Sequence, residues 1–185
     1  ILAGDALLTL AFQVMTDPKH TTYCSPEAIL KATYELGLAA GSCGMVGGQV
    51  MDMQAEQRQI DPSELEYIHT HKTGKMITAS LRIGAILANA AKKQLAALTI
   101  YGENIGLAFQ IVDDILDIEG TQEELGKNIQ SDLNKQKATY PSLYGIEKSK
   151  IMARKLINET KISLQIFGDG ANYFTQLAEY IIARS

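Results

Sequence analysis

Cysteine is scarce: Cys24 and Cys43 are the only two in 185 residues. They form neither a disulfide framework nor a metal-ligand spacing, which suits a reducing cytosol. An excess of basic charge is also lacking, because 17 Lys and Arg face 21 Asp and Glu and leave a formal charge of −4. A general nucleic-acid binder carries a basic face, so that role is disfavoured. An anionic substrate would need local help, from a few placed cations or from metal ions. No stretch of useful length alternates apolar and polar with period two, and no repeats or low-complexity segments occur. The chain opens without Met, and Ile1 to Leu8 lacks the basic n-region and cleavage pattern of a signal peptide. That opening reads as the middle of a helix, and a piece of a longer protein is expected.

What is present points to helices. Hydrophobic residues make up 46% and charged residues 21%, a globular composition large enough for one domain over 1–185 with a substantial core. The four prolines, at 18, 26, 62 and 141, all sit where a helix would begin or a loop would run. Ser25-Pro26-Glu27 offers an N-cap followed by Pro at the first helical position, and Asp61 with Glu64 forms a capping box. Thr121 with Glu124 is another such box. Apolar residues recur at three and four between these marks, as in Leu98, Ile105, Phe109, Val112 and Leu116. The pattern predicts helices over 2–15, 26–58, 62–91, 93–119, 141–167 and 170–183, hence an all-α bundle. The small-residue stretch from Leu36 to Gly48 predicts close helix packing. It is too short to span a bilayer, and no membrane segment is expected. The polar stretch from Lys127 to Tyr140 predicts a loop over one end of the bundle.

The segment richest in chemistry is Phe109-Gln110-Ile111-Val112-Asp113-Asp114-Ile115-Leu116-Asp117. On a helix Gln110, Asp113 and Asp117 share one face. Carboxylates inside an otherwise apolar helix are costly without a counter-charge. A hard cation such as Mg²⁺ resolves that conflict, since it prefers oxygen ligands and keeps waters that can bridge to a phosphate; a solvated acidic edge is the plainer alternative. Gln49 and Asp52 share a face of an earlier helix, and Lys72 and Thr73 bring a cation and a hydroxyl into an apolar helical segment. His69 and His71 diverge on a helix and default to surface or core roles. Lys72-Thr73-Gly74-Lys75 lacks the order of a P-loop.

Taken in order, G-Q-V-M-D (48–52), H-K-T-G (71–74), F-Q-I-V-D-D-I-L-D (109–117), L-G-K (125–127) and D-L-N-K-Q-K-A-T-Y-P (132–141) resemble the trans-isoprenyl diphosphate synthases. The resemblance covers nearly the whole chain, including A-G-D-A-L (3–7), and is nearest to the bacterial farnesyl diphosphate synthases, with geranylgeranyl enzymes as near relatives. It implies an all-α bundle of the isoprenoid synthase type and a cytoplasmic homodimer. The implied chemistry is Mg²⁺-dependent addition of isopentenyl diphosphate to dimethylallyl or geranyl diphosphate. In that reading Asp113 is the main Mg²⁺ ligand, helped by Asp114 and Asp117. Lys72, Lys127 and Lys137 hold the diphosphate. Thr73 and Gln110 face the allylic cation, and Phe109 lines the isopentenyl tail. Asp132, Gln49 and Asp52 stand behind them as supporting residues.

The family's first aspartate-rich motif and its arginine pair lie upstream of A-G-D-A-L and are not in this sequence. These 185 residues alone are therefore expected to turn prenyl diphosphates over poorly. Two other classes are disfavoured. A non-catalytic helical subunit need not keep buried like charges such as those of D-D-I-L-D, and a terpene cyclase would show an N-S-E type metal motif.

Overall fold

The computed structural model describes residues 1–56, 58–119 and 138–184, and these fold into helices and turns. Among the described residues nine α-helices follow one another: α1 (Leu2–Met15), α2 (Pro26–Ala40), α3 (Met45–Ala55), α4 (Pro62–His69), α5 (Lys75–Leu87), α6 (Lys92–Glu119), α7 (Tyr140–Tyr144), α8 (Ile146–Ser163) and α9 (Asn172–Ala183). Short 3₁₀ segments cover Pro18–Thr22 and Leu164–Ala171, and a π-helical segment, Thr70–Gly74, joins α4 to α5. The helix starts read from sequence are in place. The Ser25 hydroxyl accepts from the Ala28 amide at 3.2 Å, and Asp61 with Glu64 closes its capping box.

Three expected helices are broken. The span 26–58 divides at residues 41–44, where Gly41 is extended and Gly44 is neither helical nor extended. The span 62–91 holds the π segment and stops at Leu87, and Asn89 turns the chain with φ 53°. The span 141–167 is interrupted at Gly145, whose φ of 82° suits the residue without a Cβ. The Thr121–Glu124 box lies outside the described residues.

Helix α6 is the axis of the bundle, packed by α8 and α5 and by the π segment. Its residues Ile111 and Ile115 are fully buried together with Ile157 of α8. By length and composition α6 is also long and apolar enough to cross a membrane, with mean hydropathy 1.3 over its most apolar stretch. That qualifies the expectation of no membrane segment, although half of the stretch is buried within the bundle. Tyr101 of α6 donates its hydroxyl to the Phe174 carbonyl at 2.9 Å and meets the Phe174 ring edge-on, and burial pushes its phenol up to about 12. Arg82 of α5 grips both carboxylate oxygens of Glu35 on α2, at 2.6 and 2.8 Å, and donates to Thr99 of α6. Hydrogen bonding from Arg82 holds the Glu35 carboxyl below its usual range.

Ile111→Ala removes a side chain with no exposed surface at the α6–α8 contact. The expected loss is about 2–5 kcal/mol of unfolding free energy, read as a lower urea midpoint at unchanged m-value. A loss below 1 kcal/mol would mean that α6 is not the packing axis.

Candidate active site

Four segments meet at the C-terminal half of α6, and two glycines let them meet. A Cβ on Gly48 of α3 would stand 2.2 Å from the Lys72 backbone nitrogen, and one on Gly106 of α6 would stand 2.8 Å from the Gly74 Cα. The backbones of α3 and α6 therefore close on the π segment from two sides. A π turn holds one residue more than an α turn. Lys72 and Thr73 sit within it, and Lys72 is aimed into a cleft of about 110 Å³. Lys72 shares that cleft with Asp52, His69, Gln110, Asp113, Asp114 and Asp117.

Each charge in the cleft has a definite setting. The Lys72 ammonium donates to Asp52 Oδ2 at 2.7 Å. Asp113 Oδ1 accepts from the Arg184 guanidinium at 3.0 Å, and that guanidinium also lies 4.9 Å from the centre of the Phe109 ring. Asp114 Oδ2 accepts from the Tyr140 amide at 2.9 Å and from His69 Nε2 at 3.1 Å. A carboxylate only accepts, so His69 carries its proton on Nε2 here. The His69 ring stacks on Tyr140 with centroids 5.5 Å apart, and burial, aided by the Glu66 charge, pushes the Tyr140 phenol well up. Asp117 is 8% exposed, buried in the floor of the cleft.

Of the residues singled out from sequence, Lys72, Gln110, Asp113, Asp114, Asp117 and Asp52 come together. Thr73 and Phe109 are half-buried beside them. Gln49 does not join them: it is exposed on α3 while Asp52, three residues on, turns inward to Lys72. Lys127, Asp132 and Lys137 lie outside the described residues. His69 takes the core role of the two expected for it, buried with its ring bonded to Asp114. His71 stacks on Tyr67 at 3.7 Å and bonds the Tyr67 carbonyl, outside the cleft. Arg184 was not singled out, and no local spacing links it to Asp113, 71 residues earlier.

Among the described residues no three His, Cys, Asp or Glu side chains converge into a metal cage. A full cage is not what Mg²⁺ requires, since it binds through one or two carboxylates and keeps its waters and substrate oxygens. Asp113 and Asp117, one turn apart on α6 and both lining the cleft, fit that habit.

The chain as a whole has relatives among known proteins. The dimethylallyltranstransferase of Fischerella ambigua is 45% identical over the whole chain. The geranylgeranyl diphosphate synthase of Cyanophora paradoxa is 41% identical and the farnesyl diphosphate synthase of Micrococcus luteus 44%, again over the whole chain. The chain spans 53% of the first protein's length, 61% of the second's and 62% of the third's. A geranyltransferase of Helicobacter pylori, crystallised with magnesium and isoprenyl diphosphate, superposes with a TM-score of 0.80 at 27% identity, over all of this chain and 59% of that one. The polyprenyl synthetase family model matches residues 1–165. That match spans most of the chain, and the chain belongs to the polyprenyl synthetases.

Proposed function

We propose that the full-length protein is a farnesyl diphosphate synthase, joining isopentenyl diphosphate to dimethylallyl or geranyl diphosphate as a cytoplasmic homodimer. The observation that carries this reading is the placement of Lys72 in one cleft with Asp113 and Asp117. A diphosphate needs opposite charge along its length, and the cleft offers an ammonium together with two carboxylates suited to a divalent cation. Asp113 and Asp117 would hold Mg²⁺, which, when bound, neutralises the charge that develops on a departing diphosphate.

The chain's own residues do the rest. Lys72 has three N–H donors and gives one to Asp52, which leaves two for phosphate oxygens. Such a fixed donor stabilises the leaving group without reorganising during the reaction. Gln110, one helical turn from Asp113, lines the cleft, and its amide oxygen, with the hydroxyl of half-buried Thr73, would face the allylic carbon as positive charge grows on it. Lone pairs of an amide or hydroxyl stabilise such a cation without capturing it as a charged nucleophile would. The isopentenyl double bond then attacks, a carbon–carbon bond forms, and the released proton passes to the departing diphosphate. Arg184, stacked near Phe109, gives Asp113 a positive partner from the chain itself.

The reading is tested by incubating the full-length protein with labelled isopentenyl diphosphate and either allylic diphosphate, then separating the dephosphorylated products by length. A fifteen-carbon product that disappears with EDTA and returns with Mg²⁺ is expected. A twenty-carbon product would transfer the assignment to geranylgeranyl synthesis, and no elongation at all would overturn it.

A further inference from the structure

Asp114 occupies a place that the neighbouring aspartates do not. It follows Asp113 directly, so its side chain leaves α6 about 100° around the axis from that of Asp113. One carboxylate oxygen takes two donors from two other elements: His69, the last residue of α4, and the amide of Tyr140, the first residue of α7. The side chains of Asp114 and His69 are only 12% and 10% exposed, and the His69 ring stacks on the Tyr140 ring. His69 immediately precedes the π segment that presents Lys72. A single carboxylate thus fixes the helix bearing Asp113 against the turn bearing Lys72.

We propose that Asp114 is a positioning residue rather than a metal ligand: it sets the separation between Lys72 and Asp113 that a metal–diphosphate must bridge. The proposal rests on the prenyl-transfer reading above. Loss of the Asp114 oxygens frees the end of α4 and the start of α7 together, so both walls of the cleft lose their common reference. A misplacement of about 1 Å between two groups that grip one ligand is enough to weaken it by roughly 10²-fold.

Inorganic diphosphate with Mn²⁺, whose free ion is counted by electron paramagnetic resonance, probes the site in the full-length protein. Asp114→Ala is expected to weaken Mn²⁺–diphosphate binding by roughly 10- to 100-fold and to speed hydrogen exchange at the Tyr140 amide. Asp114→Asn keeps an amide oxygen that can accept from both donors, and it should restore binding to within about threefold of wild type. Asp113→Asn should lose the metal while the Tyr140 amide stays protected. Loss of metal by Asp114→Asn equal to that of Asp113→Asn would make Asp114 a ligand and overturn the proposal. So would an Asp114→Ala protein that melts lower yet binds Mn²⁺–diphosphate unchanged, since that outcome marks a purely structural contact. Failure of the wild-type protein to bind Mn²⁺–diphosphate would instead overturn the functional reading itself.

Discussion

Asp113→Ala is expected to lower turnover of the full-length protein by roughly 10³-fold while leaving its melting temperature within a few degrees of wild type. The two halves of that expectation come from different features of one side chain. Asp113 is 38% exposed at the rim of the cleft, and its partner Arg184 is 26% exposed. An ion pair with that much access to water is worth less than about 1 kcal/mol, so little stability is lost with it. Catalysis depends on the same carboxylate far more heavily. A divalent cation held through few protein oxygens loses a large part of its attachment when one is removed. Steady-state kinetics at saturating Mg²⁺ and a thermal melt followed by circular dichroism separate the two effects. Unchanged turnover would defeat the assignment of Asp113, and a collapsed melt would show it to be a stability residue.

Gly48→Ala should damage both stability and turnover, although it adds a single methyl group far from any reacting atom. The new Cβ would meet the Lys72 backbone nitrogen at 2.2 Å and the Lys72 Cα at 2.7 Å. Backbone cannot rotate aside as a side-chain tip can, so α3 or the π segment has to move. Overpacking of this kind costs about 1–3 kcal/mol. The larger effect falls on Lys72, whose displacement by about an ångström would reduce turnover by roughly 10²-fold. Gly84→Ala is the matched control, because nothing lies within 4 Å of a Cβ at that position in α5. It should stabilise the helix by up to about 1 kcal/mol and leave kinetics alone. Equal kinetics for Gly48→Ala and Gly84→Ala would mean that the contact of α3 with the π segment is not tight in solution.

The parts of this molecule that could be read from sequence are those with local causes. Helix α6 lies within one residue of its expected start because acidic and apolar residues keep a helical period from Leu98 to Asp117. The Ser25 and Asp61 caps act over three residues and were equally legible. The breaks were not, because the apolar rhythm continues through them. The run from Gly41 to Gly44 signals close packing whether the helix continues or turns, and only the contact of Gly48 with Lys72 shows why α3 must start afresh. The π segment hides for the same reason, since His71-Lys72-Thr73-Gly74 fits an unbroken α-helix on paper. His69 and Arg184 went unseen as site residues because their aspartate partners stand 45 and 71 positions away, beyond any periodicity. Pairing over such distances is written in the packing of α4, α6 and α9, and not in any neighbouring residue.

The π turn at Thr70–Gly74 also makes the count of residues between α4 and α5 a functional quantity. A chain one residue shorter there could close the turn as ordinary α-helix, with every backbone bond intact. The two flanks would keep their places, because the π turn absorbs its extra residue within a single turn. Leu65 and Ile68 on one side and Thr78 and Ala79 on the other, all buried, would stay in the core. Only the residues inside the turn would be re-aimed, by up to about 100° for each position shifted. A single-codon deletion there would spare the fold and strip the site, and Lys72 would lose its bearing on the aspartates without being altered itself.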